Sequence, residues 1–351
     1  MIKRNICVVT SHVPMVFGGH LIIARSLVTA LKDHGYNSDV IYTPQNRFGR
    51  QMSAYLANRL TDVGRTGGDE VVDQIISLRY PSYAVKHPLH VCWLNHRMRE
   101  YYDLWDDFLG VIPTGKGKLK ERFRRRLIQR LDNHLLRYNV KSLYVISGTI
   151  QKRLETWGGI PSRVLLPPPP LGRDYHTHSY ENFIFTVSRL HKLKRINLLL
   201  DAFMLVRDTE VKCLIAGEGD EYDRLEKRIK DNDLEGRAIL LGRVSDRELA
   251  DYYARCRAVF FGPRNEDFGF VTVEAFRSRK CVITCRDSGG PLDLVEDGVS
   301  GFVTRPDPTR IAERIDELVA DPGLAERMGQ AGYQASLPVT WENVVKTLVK
   351  I

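Results

Sequence analysis

At 351 residues the chain exceeds what one hydrophobic core usually spans, so two domains of ordinary size are expected. A hydrophobic content of 43% with 27% charged residues excludes a disordered chain, and no apolar run reaches membrane-spanning length. The formal charge of +9 is unevenly placed: Lys116 to Arg130 carries eight basic residues against one acidic residue.

The N-terminus, Met1-Ile-Lys-Arg-Asn5, leads straight into the strand-like run Ile6–Thr10 and is too short for a signal segment. Ser11 to His20 follows as a loop in which Gly18-Gly19 lets backbone amides approach an anion where the next helix, Leu21–Lys32, begins. That loop lacks the spacing of a dinucleotide fingerprint or a P-loop, and an ordinary turn would use glycine as well. His34-Gly35 ends the helix, and Ser38–Tyr42 reads as the next strand. Residues 43–68 are polar and glycine-punctuated, a helix with loops. Gln74–Ser77, His90–Leu94 and Tyr144–Ile146 are the later strands of this half. Trp93-Leu-Asn-His-Arg97 ends one of them; His96 there can be a general base, a donor to a hydroxyl, or a packed structural residue. Ser147 and Thr149 can add hydroxyls to the same wall.

Between residues 116 and 130, Leu119, Phe123, Leu127 and Leu131 recur every fourth position, giving a helix an apolar stripe flanked by arginines. Such a helix can pack its stripe and leave the arginines in water, lie on an anionic bilayer, or collect polyanions. Nucleic acid is disfavoured because no zinc-finger, helix-turn-helix or RNA-binding signature accompanies the charge. Cys7, Cys213 and Cys281 sit in strand-like runs as buried, inert thiols. Cys281 and Cys285 lack the partners of a zinc site, and a reducing cytoplasm fits.

Pro167 to Pro170 form a stiff extended spacer followed by the polar stretch Gly172–Tyr180, so the boundary is placed between domains 1–170 and 171–351. Beyond it, Phe183–Val187, Lys212–Ala216, Ala238–Leu241, Ala258–Phe261 and Lys280–Thr284 are short β-rich runs separated by helical patterns. This predicts an α/β fold with a parallel sheet covered on both faces, whose ligands bind beyond the carboxyl ends of the strands.

The residues after those strands carry the chemistry. Within Gly262–Ala275, Glu266 lies in a loop and Glu274 follows eight residues later in a helix. Between them Asp267-Phe268-Gly269-Phe270 is a turn able to present backbone N–H groups at the helix start, which suits phosphate, while the carboxylates suit hydroxyl-rich ligand parts. The plain alternative is a solvated turn and a surface glutamate. Ser188 to Arg195 places Arg189, Lys192, Lys194 and Arg195 after a strand, where they can neutralise a diphosphate or form a solvated basic loop. Glycine turns at 216–219, 241–244 and 287–291 line the same edge. Asp231-Asn232-Asp233 reads as a solvated turn rather than a metal site.

Taken together these residues resemble the retaining family-4 glycosyltransferases with the GT-B fold, over nearly the whole chain. The family's paired-glutamate motif matches Glu266 and Glu274, and its Arg-x4-Lys pair matches Arg189 and Lys194. Its double-glycine loop matches Gly18-Gly19, and Leu241-Gly242-Arg243 also fits. The resemblance implies two Rossmann-like domains facing across a cleft, the first on the acceptor side and the second binding the nucleotide sugar. It allows the last helix to pack back on the first domain. By the same analogy Glu274 takes the ribose hydroxyls, Glu266 a hydroxyl of the donor sugar, and Arg189 and Lys194 the diphosphate. The backbone of Phe268, Gly269 and Phe270 lies beside the sugar, residues from Gly242 to Val244 border the base, and His96 lies near the transferred sugar.

The implied reaction moves a hexosyl unit from a nucleoside-diphosphate sugar to a glycan or lipid-linked acceptor, by front-face transfer with retention, without cofactor or metal. The implied setting is cytoplasmic, in polysaccharide synthesis, with residues 116–130 meeting an anionic membrane surface. A nucleotide-sugar epimerase or phosphorylase on the same scaffold, or a non-catalytic polyanion-binding module, are the alternatives. Three departures stand out. His191-Lys192-Leu193 replaces the usual proline and acidic residue. Arg195 stands where glycine is common, which predicts unusually basic surroundings for the diphosphate. Gly-Val-Asp is absent at the domain junction, where Pro167–Pro170 predicts a stiffer linker.

Overall fold

The structure, a computed structural model, describes residues 3–15, 18–46 and 48–351. Val16 and Phe17, in the loop before the first helix, lie outside the described residues. The chain divides into two compact units, Met1–Pro170 with Val339–Ile351, and Leu171–Pro338.

In the first unit the strands are β1 Asn5–His12, β2 Asn37–Pro44, β3 Gln74–Ser77, β4 His90–Leu94, β5 Ser142–Val145 and β6 Arg163–Val164. They form one sheet in the order β2-β1-β3-β4-β5-β6, every pair parallel. Every residue of β3 and β4 is buried, as expected of parallel strands covered on both faces. The covering helices are α1 Gly19–Asp33, α2 Gln51–Leu60, α3 Trp105–Gly110, α4 Gly115–Tyr138, α5 Gly148–Thr156 and, from the chain end, α12 Trp341–Leu348. The last is tied in by Gln74, which donates to Leu348 O at 2.8 Å and accepts from Lys350 N at 2.8 Å. Trp341 Nε1 donates to Pro169 O, and its ring meets Trp93 edge-on.

The basic helix α4 differs from an ordinary core helix. It buries Ile128, Leu135 and Leu136, and fixes that face through Asp132, which accepts from the hydroxyls of Tyr55, Tyr83 and Tyr102. Of the alternatives open for the apolar stripe, core packing does not hold for these residues: Leu119 is 68%, Phe123 70% and Leu127 40% exposed. The four-residue period is real, but its apolar side is not the side that folds inward. Arg125 is no solvated arginine either; its Nε donates to Tyr101 O and its guanidinium lies over the Trp105 ring.

In the second unit the strands are β7 Phe183–Val187, β8 Lys212–Ala216, β9 Ala238–Gly242, β10 Ala258–Phe260, β11 Val282–Cys285 and β12 Gly301–Thr304. Their order is β12-β11-β10-β7-β8-β9, again all parallel. The helices are α6 Ile196–Phe203, α7 Tyr222–Asp231, α8 Asp246–Arg255, α9 Phe270–Arg277, α10 Pro308–Ala320 and α11 Pro322–Ser336. Alternate strand residues feed opposite layers: Ile184, Phe260 and Ile283 pack with Leu199, Ile311 and Leu318, while Phe185, Val259 and Val282 pack with Tyr253 and Phe276. Two strands escape the sequence reading. β6 has only two residues, and β12 is a four-residue Gly-Phe-Val-Thr run with little apolar length to mark it.

All six cysteines are free. Burial pushes the Cys281 thiol up to about 12, in keeping with an inert side chain, whereas Cys7 is only partly buried, contrary to expectation.

Candidate donor site on the second sheet

The carboxyl edge of the second sheet collects three loops, after β7, β10 and β11, and these are sewn together by backbone. Arg264 N donates to Leu193 O at 2.8 Å, Asn265 N to Asp287 O at 2.8 Å, Glu266 N to Ser288 O at 2.7 Å, and Gly290 N to Glu266 O at 2.9 Å. Both backbone groups of Glu266 are therefore engaged, so this loop glutamate is a fixed point. Gly289 sits at φ +81, and a Cβ there would meet Glu266 O at 2.5 Å; glycine is required for the two loops to come this close.

Lys194 Nζ reaches Glu266 Oε2 at 2.6 Å, both side chains about one-fifth exposed, with the Phe261 ring 5.5 Å from the ammonium. Arg189 is exposed on the same loop. His191 is a local cap, its Nδ1 accepting from Leu193 N. Arg195 corrects the expectation of an unusually basic site. Its guanidinium forks onto Asp287 at 2.8 and 2.9 Å and also donates to Gly262 O and Pro263 O, so its charge is matched. Burial works against the Asp287 carboxylate, yet Arg195 outweighs it and holds that group below the usual range. The residue adopts φ +54, which explains why glycine is comfortable at this position.

Gly269, at φ +83, is the N-cap of α9; a Cβ would collide with the Phe261 ring. The helix start has no side-chain cap and no acidic residue in its first turn. In contrast α8 begins with a full capping box from Ser245 and Glu248. Phe268 is buried and meets Phe270 edge-on.

Glu274, one turn into α9, is only 4% exposed, and its partners are residues the sequence did not single out. Arg173 Nη1 lies 2.5 Å from Oε1, the Tyr175 hydroxyl donates to the same oxygen at 3.2 Å, and the Tyr253 hydroxyl donates to Oε2 at 2.9 Å. Burial raises the carboxyl above its ordinary value, with Arg173 opposing. Arg173 also reaches Asp246 at 2.9 Å. The only hint in the sequence was Arg173 itself, in the polar stretch after the prolines. Gly242, at φ +65, closes the next loop by accepting from Gly217 N at 2.7 Å, with Val244 half-buried beside it.

His96, Gly18 and Gly19 belong to the first unit. His96 is half-buried with Nδ1 2.8 Å from Arg97 O. His20 nearby is pushed down to about 3 by burial and by Arg79, His96 and His12. Gly18 is the N-cap of α1, which also lacks a side-chain cap. Ser147 is spent on capping α5, accepting from Ile150 N. Asp231 pairs with Lys227 on the surface of α7. Among the described residues no group of three or more His, Cys, Asp or Glu side chains is placed to hold a metal ion.

Two parallel six-stranded sheets, each flanked by helices, define the class: a GT-B architecture of two Rossmann-like domains. The solved sucrose-phosphate synthase of Thermosynechococcus elongatus shares this fold, with a TM-score of 0.74 at 18% identity, covering 98% of this chain and 97% of that one. Residues 173–335 match the sequence profile of the family described as "Glycosyl transferases group 1". The human alpha-1,3/1,6-mannosyltransferase ALG2 is 31% identical over 164 residues, 42% of this chain and 39% of the relative. The capsular polysaccharide biosynthesis glycosyltransferase CapM of Staphylococcus aureus is 30% identical over 189 residues, 50% of this chain and 48% of the relative. The chain thus spans less than half the length of these two curated relatives, and is related to GT-B glycosyltransferases.

Proposed function

We propose that the chain is a retaining glycosyltransferase of the family-4 type, moving a hexosyl unit from a nucleoside-diphosphate sugar to a hydroxyl of a glycan or lipid-linked acceptor. The observation that carries this reading is the Lys194 ammonium 2.6 Å from the Glu266 carboxylate, beside exposed Arg189, on the carboxyl edge of the second sheet. That segment lies inside the stretch matching the glycosyltransferase profile, and both partial relatives are named for sugar transfer.

Arg189 and Lys194 take the diphosphate, joined by the uncapped N–H groups that open α9. Glu266 accepts from a donor-sugar hydroxyl, with the backbone of Phe268, Gly269 and Phe270 alongside. Glu274 takes ribose. Its Oε1 already receives Arg173 and Tyr175, so a ribose diol draws on the remaining lone pair of Oε2 and on exchange of one existing partner. Gly242 and Val244 border the base. In this reading Gly18 and Gly19 are donor-binding backbone and His96 lies near the transferred sugar, all three carried by the first domain.

In the reaction the bond from the anomeric carbon to the phosphate oxygen breaks, and negative charge grows on the leaving diphosphate. Fixed cations already in place stabilise that charge without reorganising. The acceptor hydroxyl oxygen bonds to the anomeric carbon on the same face that the phosphate leaves, which gives retention, and the departing phosphate takes the hydroxyl proton. Transfer is metal-independent in this account.

The exposed stripe of α4 adds a location. Leu119, Phe123 and Leu127 stand among exposed Lys116, Lys120, Arg122, Arg126 and Arg130, a surface suited to an anionic leaflet on the cytoplasmic side. No described helix is long and apolar enough to cross a membrane.

The test is calorimetric titration with UDP-, GDP-, ADP- and TDP-sugars, followed by slow hydrolysis of whichever binds, with and without EDTA. Binding of one nucleotide class and EDTA-insensitive hydrolysis are expected. Binding of none would remove the reading, and a strict EDTA-reversible need for Mn or Mg ions would remove its metal-independent step.

A further inference from the structure

We infer that Arg195 is a positioning residue, its guanidinium locking the Lys194 loop to the Glu266 loop in the register that the donor's diphosphate and sugar meet. The inference rests on the nucleotide-sugar reading of this edge.

Three loops converge on one side chain. Arg195 ends the loop after β7 and directly follows Lys194. Its Nε donates to Gly262 O at 2.8 Å and its Nη2 to Pro263 O at 2.7 Å, both at the root of the loop that carries Glu266. Nη1 and Nη2 also fork onto the Asp287 carboxylate after β11 at 2.9 and 2.8 Å. Four of the guanidinium's five N–H donors are thus used, on two segments besides its own loop. Only a planar fork fits this arrangement; a lysine is a point charge with a different reach.

Two observations separate this role from phosphate binding. The charge is already matched by Asp287, so Arg195 adds no net positive potential for a diphosphate. The backbone at Arg195 is left-handed, φ +54, an unfavourable choice for a residue with a Cβ, and one that glycine would relieve. A side chain kept in a strained position, and spent wholly on holding two neighbouring loops, is doing so for geometry. Misplacing Lys194 from Glu266 by about an ångström is the kind of error that costs up to roughly a hundredfold in rate.

The strain makes the test sharp, because Arg195→Gly removes the fork while easing the backbone. Full-length wild type, Arg195→Gly, Arg195→Lys, Asp287→Asn and the Arg195→Gly/Asp287→Asn double variant are compared with UDP-glucose, GDP-mannose and ADP-glucose as probes. For whichever probe the wild type turns over, kcat is expected to fall about tenfold or more in Arg195→Gly, with donor KM within about twofold. Arg195→Lys recovers part of the loss. The double variant is no worse than about twofold below the weaker single, because both remove one unit.

Hydrogen exchange of the unliganded proteins is the second readout. Exchange across 262–270 is expected to rise about tenfold in Arg195→Gly and in Asp287→Asn, while the melting temperature drops only slightly. Retained kcat in Arg195→Gly, or strictly additive losses in the double variant, overturns the inference. If the wild type turns over none of the probes, the clamp is judged by exchange alone, where unchanged exchange across 262–270 overturns it, and the functional reading is judged separately by binding across the UDP-, GDP-, ADP- and TDP-sugar panel.

Discussion

The two glutamates of the candidate donor edge should separate cleanly by stability. Glu274→Ala leaves the fully buried Tyr253 hydroxyl without its acceptor, a loss of about 1–3 kcal/mol. It also breaks the buried contact with Arg173, for which removal of one partner costs about 3–5 kcal/mol when the other is stranded. Arg173 is not stranded, since it keeps Asp246 at 2.9 Å, so the total should sit near the bottom of that range, about 3 kcal/mol. For a unit of this size that corresponds to a fall of about 6–12 °C in melting temperature. Glu266→Ala removes a pair whose side chains are 20% and 22% exposed, and should cost less than about 1 kcal/mol. Thermal unfolding followed by circular dichroism measures both, and calorimetric titration with nucleoside diphosphate adds the functional half. Glu274→Ala should lose stability and nucleotide affinity together, while Glu274→Gln, which retains an acceptor for Tyr253, recovers part of each. A Glu274→Ala protein melting within about 2 °C of wild type would refute the reasoning.

Three further outcomes are expected. Neutral substitutions at Arg189 or Lys194 should lower turnover even at saturating donor, because the proposed mechanism has both cations act on charge that grows as the diphosphate leaves; weaker binding with turnover untouched would reduce them to ground-state contacts. Lys280 is fully buried, donates to Ser179 O and lies 3.5 Å from the Tyr180 ring centroid, and burial holds its ammonium down to about 8. Since the unfolded chain binds that proton up to higher pH, the folded state gains stability as pH rises above 8, by up to about 1.4 kcal/mol per unit. Urea unfolding at pH 7, 8 and 9 should show wild type gaining on Lys280→Met, and parallel curves would contradict it. Charge reversal at Arg122 and Arg126 should weaken co-sedimentation with anionic vesicles at low salt, leaving neutral vesicles unaffected; wild type without any preference for anionic vesicles removes the membrane surface from the account.

Much of the fold was legible because buried parallel strands announce themselves as apolar runs, as Phe183–Val187 does, and because each carboxyl end is marked by glycine or charge. β12 was not, since a short Gly-Phe-Val-Thr segment resembles any turn exit. The glutamate and Arg–Lys motifs were visible as spacings. Their surroundings were not, because those depend on partners distant in the chain. Arg195 read as added basicity, but Asp287, 92 residues away, neutralises it. Glu274 read as open to ribose, but Arg173, 101 residues earlier, already lies on it. In α4 the period marked the apolar stripe but left open which side folds inward, because a polar residue, Asp132, is what docks the helix to three tyrosines.

The most direct measurement is release of nucleoside diphosphate from a panel of UDP-, GDP-, ADP- and TDP-sugars by wild type and Glu266→Ala, side by side in EDTA. The account predicts release from one nucleotide class by wild type, and loss of about a hundredfold or more in Glu266→Ala at nearly unchanged melting temperature. Release by Glu266→Ala within a factor of about two of wild type would contradict it.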